Sequence, residues 1–189
     1  MKIVIETERL ILRELLPSDC DGMFELDSDP EVHKYLGNNP VTDKEQVMNV
    51  IHFVRQQYID NGIGRWAIID KKTEDFIGWS GLKFVTELTN NHIHYYDLGY
   101  RLRKKYWRQG IATETAILTL DYAFNVLNLE EVYASADIEN MGSNKILQKI
   151  GFNLIETFYY EDIECNWYRI DKNEYEKKRL TKSEKINRQ

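Results

Sequence analysis

The sequence predicts a single α/β domain built on a mixed sheet, and three observations carry that expectation. Helical signals come early, a block of aromatic and β-branched strands follows, and a strand-helix-strand-helix-strand run closes the chain. With 189 residues, 42% of them hydrophobic, the chain has the size of one domain and can bury most of its apolar surface in one core. Neither G-x-G-x-x-G nor a glycine-rich run ending in Gly-Lys-Ser/Thr occurs, so the pattern is not that of a doubly wound nucleotide fold.

Residues 2–14 alternate around Ile3, Ile5, Leu10 and Leu12, with a turn or kink expected near Glu6 to Glu8. Pro17-Ser18-Asp19 starts a helix with Met23, Phe24 and Leu26 on its apolar face, and Asp29-Pro30 starts a shorter one. Thr42-Asp43 caps a longer helix, in which Val47, Val50, Ile51, Val54 and Tyr58 recur at helical spacing before Asn61-Gly62. Strands are expected over 65–70, 76–85 and 92–103, with hairpin loops at Lys71 to Asp75 and Glu87 to Asn91. Gly110 precedes a helix carrying Ile117, Leu120, Phe124 and Leu127. A strand EVYASADI, a helix ending at Gly151 and a closing hairpin of FNLIETFYY and ECNWYRID complete the domain, expected over 1–171. The charged residues 172–189 are expected as a tail, a solvated helix extension or disordered.

The balance of 25 basic and 31 acidic residues, net −6, gives no reason to expect nucleic acid or an anionic membrane as partner. No stretch approaches the roughly 20 apolar residues of a membrane span. Cys20 and Cys165 are far apart and in no metal-ligand spacing, so a reducing cytoplasm is the expected setting, without disulfide or zinc. His92-x-His94 would put two rings on one strand face, but a third metal ligand is not evident and cross-strand packing is expected. No G-x-S-x-G elbow is present.

Chemistry concentrates elsewhere. Arg101, Arg103, Lys104, Lys105 and Arg108 fall within eight residues and lead into a helix through Gly110-Ile111-Ala112. A helix N-terminus beside such a patch suits an anion, and a pyrophosphate fits its extent. A solvated basic turn is the plainer alternative.

Tyr106-Trp107-Arg108-Gln109-Gly110-Ile111-Ala112-Thr113-Glu114 resembles the acetyl-CoA pyrophosphate loop of the GNAT superfamily of N-acetyltransferases, in its RimJ/RimL-type (ribosomal-protein-alanine acetyltransferase-like) form. Glu6 to Arg13 with Pro17-Ser18-Asp19, Asp29 to Val32 with Tyr35-Leu36-Gly37, Ile77-Gly78 with Gly81-Leu82, and Asp97 to Tyr100 are similar to that family's successive segments. Asn140, Ser143, Lys149, Gly151 and Phe152 match its last helix, so the resemblance covers about residues 5–170. It departs at Trp107, where the wider superfamily has Gln or Arg, and at Asp97, where Glu is usual.

The resemblance implies a mostly antiparallel twisted sheet of about seven strands flanked by helices and splayed between the fourth and fifth. It also implies acetyl-CoA as co-substrate, no metal, and transfer of the acetyl group to a primary amine, either a protein N-terminus or a small cationic amine. The pantetheine arm would lie along Tyr100, Leu102 and Arg103, and the diphosphate on Arg108, Gln109, Gly110, Ile111, Ala112 and Thr113. Asn140 would contact pantetheine. Asp97 is the first candidate to accept the amine proton through a water, with Asp137 and Glu139 behind it. Ser143 is the candidate to protonate the thiolate, with Tyr100, Tyr159 and Tyr160 as substitutes. Acidic residues at 19, 21, 25, 27, 29 and 31, and at 156, 161, 162 and 164, would rim an acceptor groove and draw a cation. A non-catalytic acetyl-CoA sensor and an unrelated anion-binding scaffold are the rival readings, and a homodimer is left open.

Overall fold

In the computed structural model, which describes residues 3–186 and the side chains of 5–179, the opening alternation folds as two strands. β1 (Ile3–Glu6) and β2 (Leu10–Glu14) pair antiparallel across a turn in which Leu10 donates its N–H to the Thr7 hydroxyl at 3.0 Å. The expected count of about seven strands therefore becomes eight, in the order β1-β2-β3-β4-β5-β6-β8-β7. The remaining strands are β3 (Arg65–Asp70), β4 (Phe76–Val85), β5 (Tyr95–Leu102), β6 (Glu131–Asp137), β7 (Asn153–Tyr160) and β8 (Ile163–Asp171).

Every neighbouring pair is antiparallel except β5–β6, which is parallel and in register only at Asp97↔Tyr133. Beyond that single level the two strands part. This is the expected splay, between the strands counted fourth and fifth when residues 2–14 are taken as one.

Helices cover both faces. After a 3-10 turn (Pro17–Asp19) come α1 (Cys20–Asp27), α2 (Pro30–His33) and α3 (Lys44–Asn61), the last capped by Asp43, whose carboxylate accepts from Gln46 N at 3.0 Å. Met23, Leu26, Val47, Ile51 and Val54 of this group pack on Ala67, Ile69 and Trp79 of the sheet. The opposite face, with Trp66, Ile68, Leu82, Leu98 and Leu102, receives Leu120 and Phe124 of α4 (Ile111–Asn125) and Leu147 and Ile150 of α5 (Met141–Ile150). Side chains alternate along each strand, so this two-sided burial is why the central strands read as almost continuously apolar.

The strand expected from residue 92 starts only at Tyr95. Thr89 and His92 exchange backbone hydrogen bonds of 2.9 and 2.8 Å, and His94 has φ 57, so the chain turns where a straight strand was expected. The two histidines diverge accordingly: His94 stacks on Phe84, and His92 packs among Tyr95, Tyr133 and Trp167. The charged segment from residue 172 begins as α6 (Lys172–Ile186). Tyr175 of this helix is buried against Phe124, and Lys178 donates to Gly151 O at 2.6 Å.

Candidate active site

The parting of β5 from β6 leaves backbone groups facing a gap. Arg103 donates its N–H to Ile77 O of β4 at 2.9 Å. In an antiparallel ladder successive residues point to opposite sides, so the N–H groups of Tyr100 and Leu102 face away from β4, toward β6. On the same side, the indole of Trp107 donates to Leu102 O at 2.8 Å and ties the following loop to the strand end.

That loop is a 3-10 turn (Lys104–Tyr106) followed by Arg108 at φ 60 and Gly110 at φ 76, the N-cap of α4. It is braced from outside. Tyr106 donates to Asp75 Oδ2 at 2.8 Å, and Arg9 reaches Gln109 O at 3.1 Å and pairs with Glu114 at 2.6 Å. Four of the five cations of the basic run are paired, Arg101 with Asp27, Arg103 with Glu25, Lys104 with Glu31 and Lys105 with Asp75. Among the described residues Arg108 has no carboxylate within ion-pair distance. Arg103 is buried and also donates to Phe76 O at 2.8 Å, while its N–H is used on Ile77 O and its carbonyl accepts from Tyr106 N at 2.9 Å. Ile111 likewise turns its side chain into the core and leaves its amide at the helix start.

A diphosphate fits these residues. The first-turn N–H groups of a helix have no intrahelical acceptors, and α4 presents those of Ile111, Ala112 and Thr113. A Cβ placed on Gly110 would meet nothing nearer than Arg9 Nη2 at 3.8 Å, so no packed atom fills the space beside it.

Next to the gap lies a cavity of about 550 Å³ lined by Asp97, Tyr100, Asn140 and Ser143, among others. At one corner β5 and α5 bring Tyr100, Asn140 and Ser143 together. Asn140 caps α5, its Oδ1 accepting from Ser143 N at 3.1 Å, and Ser143 Oγ lies 3.1 Å from the Tyr100 hydroxyl. Burial pushes the Tyr100 phenol up to about 12, so it keeps its proton at neutral pH. Asn144, buried one residue further on, holds this corner. Its Nδ2 donates to Asp137 O and Asn140 O, both at 2.8 Å, while its Oδ1 accepts from Asn166 at 2.8 Å and Tyr168 at 2.7 Å.

Asp97 stands on the other wall, its side chain 16% exposed, with Arg65 Nη2 at 3.2 Å from Oδ2. Burial raises its carboxyl above the ordinary aspartate value, and Arg65 opposes that rise. Asp137 also lines the cavity, with Oδ1 accepting from Glu139 N at 2.7 Å. Glu139 does not line it. Tyr160 does, whereas Tyr159 is 70% exposed outside it.

The early acidic cluster does not form a negative rim. Asp19 makes a double 2.7 Å contact with Arg13, Asp27 pairs with Arg101, Glu25 with Arg103, Asp21 with Lys44 and Glu31 with Lys104, while Asp29 caps α2. Folding pairs five of these six acids with cations, four of them distant in sequence. The carboxylates that do reach the cavity are Glu87, Asp97, Asp137 and Glu161. Sequence reasoning missed Arg65, Trp79, Lys83 and Glu87 as cavity residues. A signal existed in the pair Gly81 and Gly99, glycines within strand patterns, which mark places where another group crosses the sheet.

A family profile described as "Acetyltransferase (GNAT) domain" matches residues 9–153. "Uncharacterized N-acetyltransferase p20" of Bacillus licheniformis is 33% identical over 146 residues, 77% of this chain and 80% of that protein. "Spermidine N(1)-acetyltransferase" of Escherichia coli is 26% identical over 159 residues, 84% of this chain and 80% of that one. The crystal structure of spermidine N-acetyltransferase from Vibrio cholerae in complex with CoA and spermine superposes with a TM-score of 0.72 at 19% identity, covering 89% and 99% of the two chains.

Proposed function

The chain belongs to the GNAT acetyltransferase family and is an acetyl-transferring enzyme; from that premise we propose that it acetylates a small cationic amine by direct attack on acetyl-CoA in a ternary complex. The observation that carries this reading is Asp97 and the Tyr100–Ser143 pair lining one cavity beside the open strand edge.

When bound, acetyl-CoA supplies a thioester with an electrophilic acyl carbon. The amides of residues 108–113 and the Arg108 guanidinium neutralise the diphosphate, and Asn140, whose Oδ1 is used in capping, keeps its Nδ2 for the pantetheine arm. The N–H groups of Tyr100 and Leu102 serve as donors to the arm and to the oxygen that gains charge during attack. An alkylammonium with pKa near ~10.4 is less than about 1% neutral at pH 7, so a proton acceptor is needed. Asp97 takes that proton through a water. The amine nitrogen then bonds to the acyl carbon, the carbon–sulfur bond breaks, and Ser143, hydrogen-bonded to Tyr100, returns a proton to sulfur.

Asp137 and Glu161, with the rings of Tyr35, Tyr95 and Tyr160, give the cavity acidic and aromatic surfaces that favour a cation, whereas Glu87 is paired with Lys83 at 3.7 Å. The 26% identical relative named for spermidine supports the same class. A peptide N-terminal amine is the second acceptor class, favoured by the RimJ/RimL-like loop at Tyr106 to Glu114. The test is release of free CoA thiol with spermidine, an aminoglycoside, and basic peptides starting with Ala or Ser. Spermidine should turn over, and its KM should rise in Glu161→Gln and Asp137→Asn. Cofactor binding without turnover on any amine would leave an acetyl-CoA sensor instead.

A further inference from the structure

One face of β3–β5 carries an ordered row of charge. Arg65 on β3 is in register with Gly81 on β4, and Gly81 with Gly99 on β5. Asp97, two residues before Gly99, shares that face, opposite Lys83. The Arg65 guanidinium crosses β4 above these glycines, lies 4.5 Å from the Trp79 ring centroid and ends 3.2 Å from Asp97 Oδ2. The crossing needs the missing side chains. A Cβ on Gly99 would sit 3.2 Å from Arg65 Nη2 and 3.2 Å from the Trp79 ring, whereas one on Gly81 would strike the β3 main chain, 2.9 Å from Arg65 Cα. Arg65 Nε is buried without a hydrogen-bond partner among the described residues, so the guanidinium is seated by the Trp79 face and by Asp97. Seating a cation this way desolvates it, and a purely structural arginine would gain little from such a place.

We propose that Arg65 is a positioning residue for acetyl transfer: it fixes the Asp97 carboxylate as the proton acceptor lining the cavity, and Gly99 keeps its path open. The assignment rests on the reading of Asp97 given above. Asp97 faces Arg65 from β3, Lys83 from β4, Tyr95 along its own strand and Tyr133 across on β6. Burial raises its pKa while Arg65 and Lys83 lower it, so losing Arg65 leaves burial less opposed and the carboxylate protonated to higher pH.

The experiment measures kcat/KM against pH with acetyl-CoA and the best amine of the panel above, together with the Asp97 carboxyl titration by carbon-13 NMR. In Arg65→Met the acidic limb and the NMR titration should both move up by about one pH unit or more, with CoA affinity unchanged. Arg65→Lys should reverse most of that shift, and Gly99→Ala should move the limb up as Arg65→Met does, with the arginine still present. A uniform fall in kcat/KM at every pH, with the limb and the NMR titration in place, would overturn the role of Arg65. Retention of the wild-type limb by Asp97→Asn would instead remove Asp97 as the base, and this proposal with it. If Asp97→Asn abolishes the limb while Arg65→Met leaves it, only Arg65 is excluded. An NMR shift without turnover on any amine would keep the Arg65–Asp97 coupling, but it would refute the acetyl-transfer reading and the positioning role that depends on it.

Discussion

Replacing Gly110 by alanine separates cofactor binding from folding. The residue has φ 76, where an L side chain is strained by about 1–2 kcal/mol. No collision adds to that, because the nearest atom to a new Cβ is Arg9 Nη2 at 3.8 Å, and the stiffer unfolded chain recovers roughly 0.5 kcal/mol. The net loss of about 1 kcal/mol corresponds to a Tm decrease of roughly 2–4 °C for a chain of this size. Binding should suffer far more. The added methyl group sits at the N-cap, beside the first-turn amides of α4 on which the diphosphate is proposed to rest. Displacing a diphosphate from two charge-assisted hydrogen bonds costs about 3 kcal/mol at the low end, or ~100-fold in Kd. Gly62 supplies the control, with φ 68 and no atom within 4 Å of an added Cβ. Gly62→Ala should reproduce the Tm loss and leave CoA affinity alone. Calorimetric titration with CoA and a thermal melt on both variants decide the matter. A Gly110→Ala protein that binds CoA as tightly as Gly62→Ala refutes the placement of the diphosphate.

Asn144→Ala should leave Asp137 O, Asn166 Nδ2 and the Tyr168 hydroxyl without their buried partner. The expected cost is about 3 kcal/mol, or a Tm lower by roughly 6–12 °C, and a melt within ~2 °C of wild type would contradict it. His33 is buried, neither ring nitrogen has a hydrogen-bond partner among the described residues, and burial, reinforced by Arg101 and opposed by Asp27 at 3.8 Å, lowers its pKa. The unfolded chain therefore binds the proton first. Its stabilising contribution is present above the ordinary histidine value of 6.5 and is lost as pH falls below it, so Tm should drop on acidification, and drop less in His33→Gln. Tyr100→Phe removes the hydroxyl beside Ser143. Ser143, the proton donor to sulfur, loses its hydrogen-bond partner, so kcat should fall by up to about 100-fold, the low end of what a positioned acid contributes, with CoA affinity retained. With that phenol held up to about 12, wild-type turnover should show no alkaline limb from Tyr100 below pH 10 in the same thiol-release assay.

Local signals read well from the sequence. Asp43 and Asn140 cap the helices their neighbours announce, and Gly110 opens α4, because each interaction closes within a few residues. What depends on pairing over distance did not read. Whether residues 2–14 make one strand or two is settled by the turn at Thr7, and the start of β5 by the Thr89–His92 bonds. The acids of α1 look like a solvated cluster until Arg101, 74 positions away, comes to rest on Asp27. Arg65 and Asp97, 32 positions apart, meet only through the β3–β4–β5 register and two glycines that stand in different strands.

The helix that follows β8 changes where the domain should be cut. Composition draws the edge at Asp171, but Tyr175 rests on Phe124 and is 4% exposed. A chain ending at Asp171 would wet that aromatic face and forfeit roughly 2 kcal/mol of burial. A trimmed version that keeps the domain's packing must retain Tyr175 on Phe124 and Lys178 on the Gly151 carbonyl that ends α5.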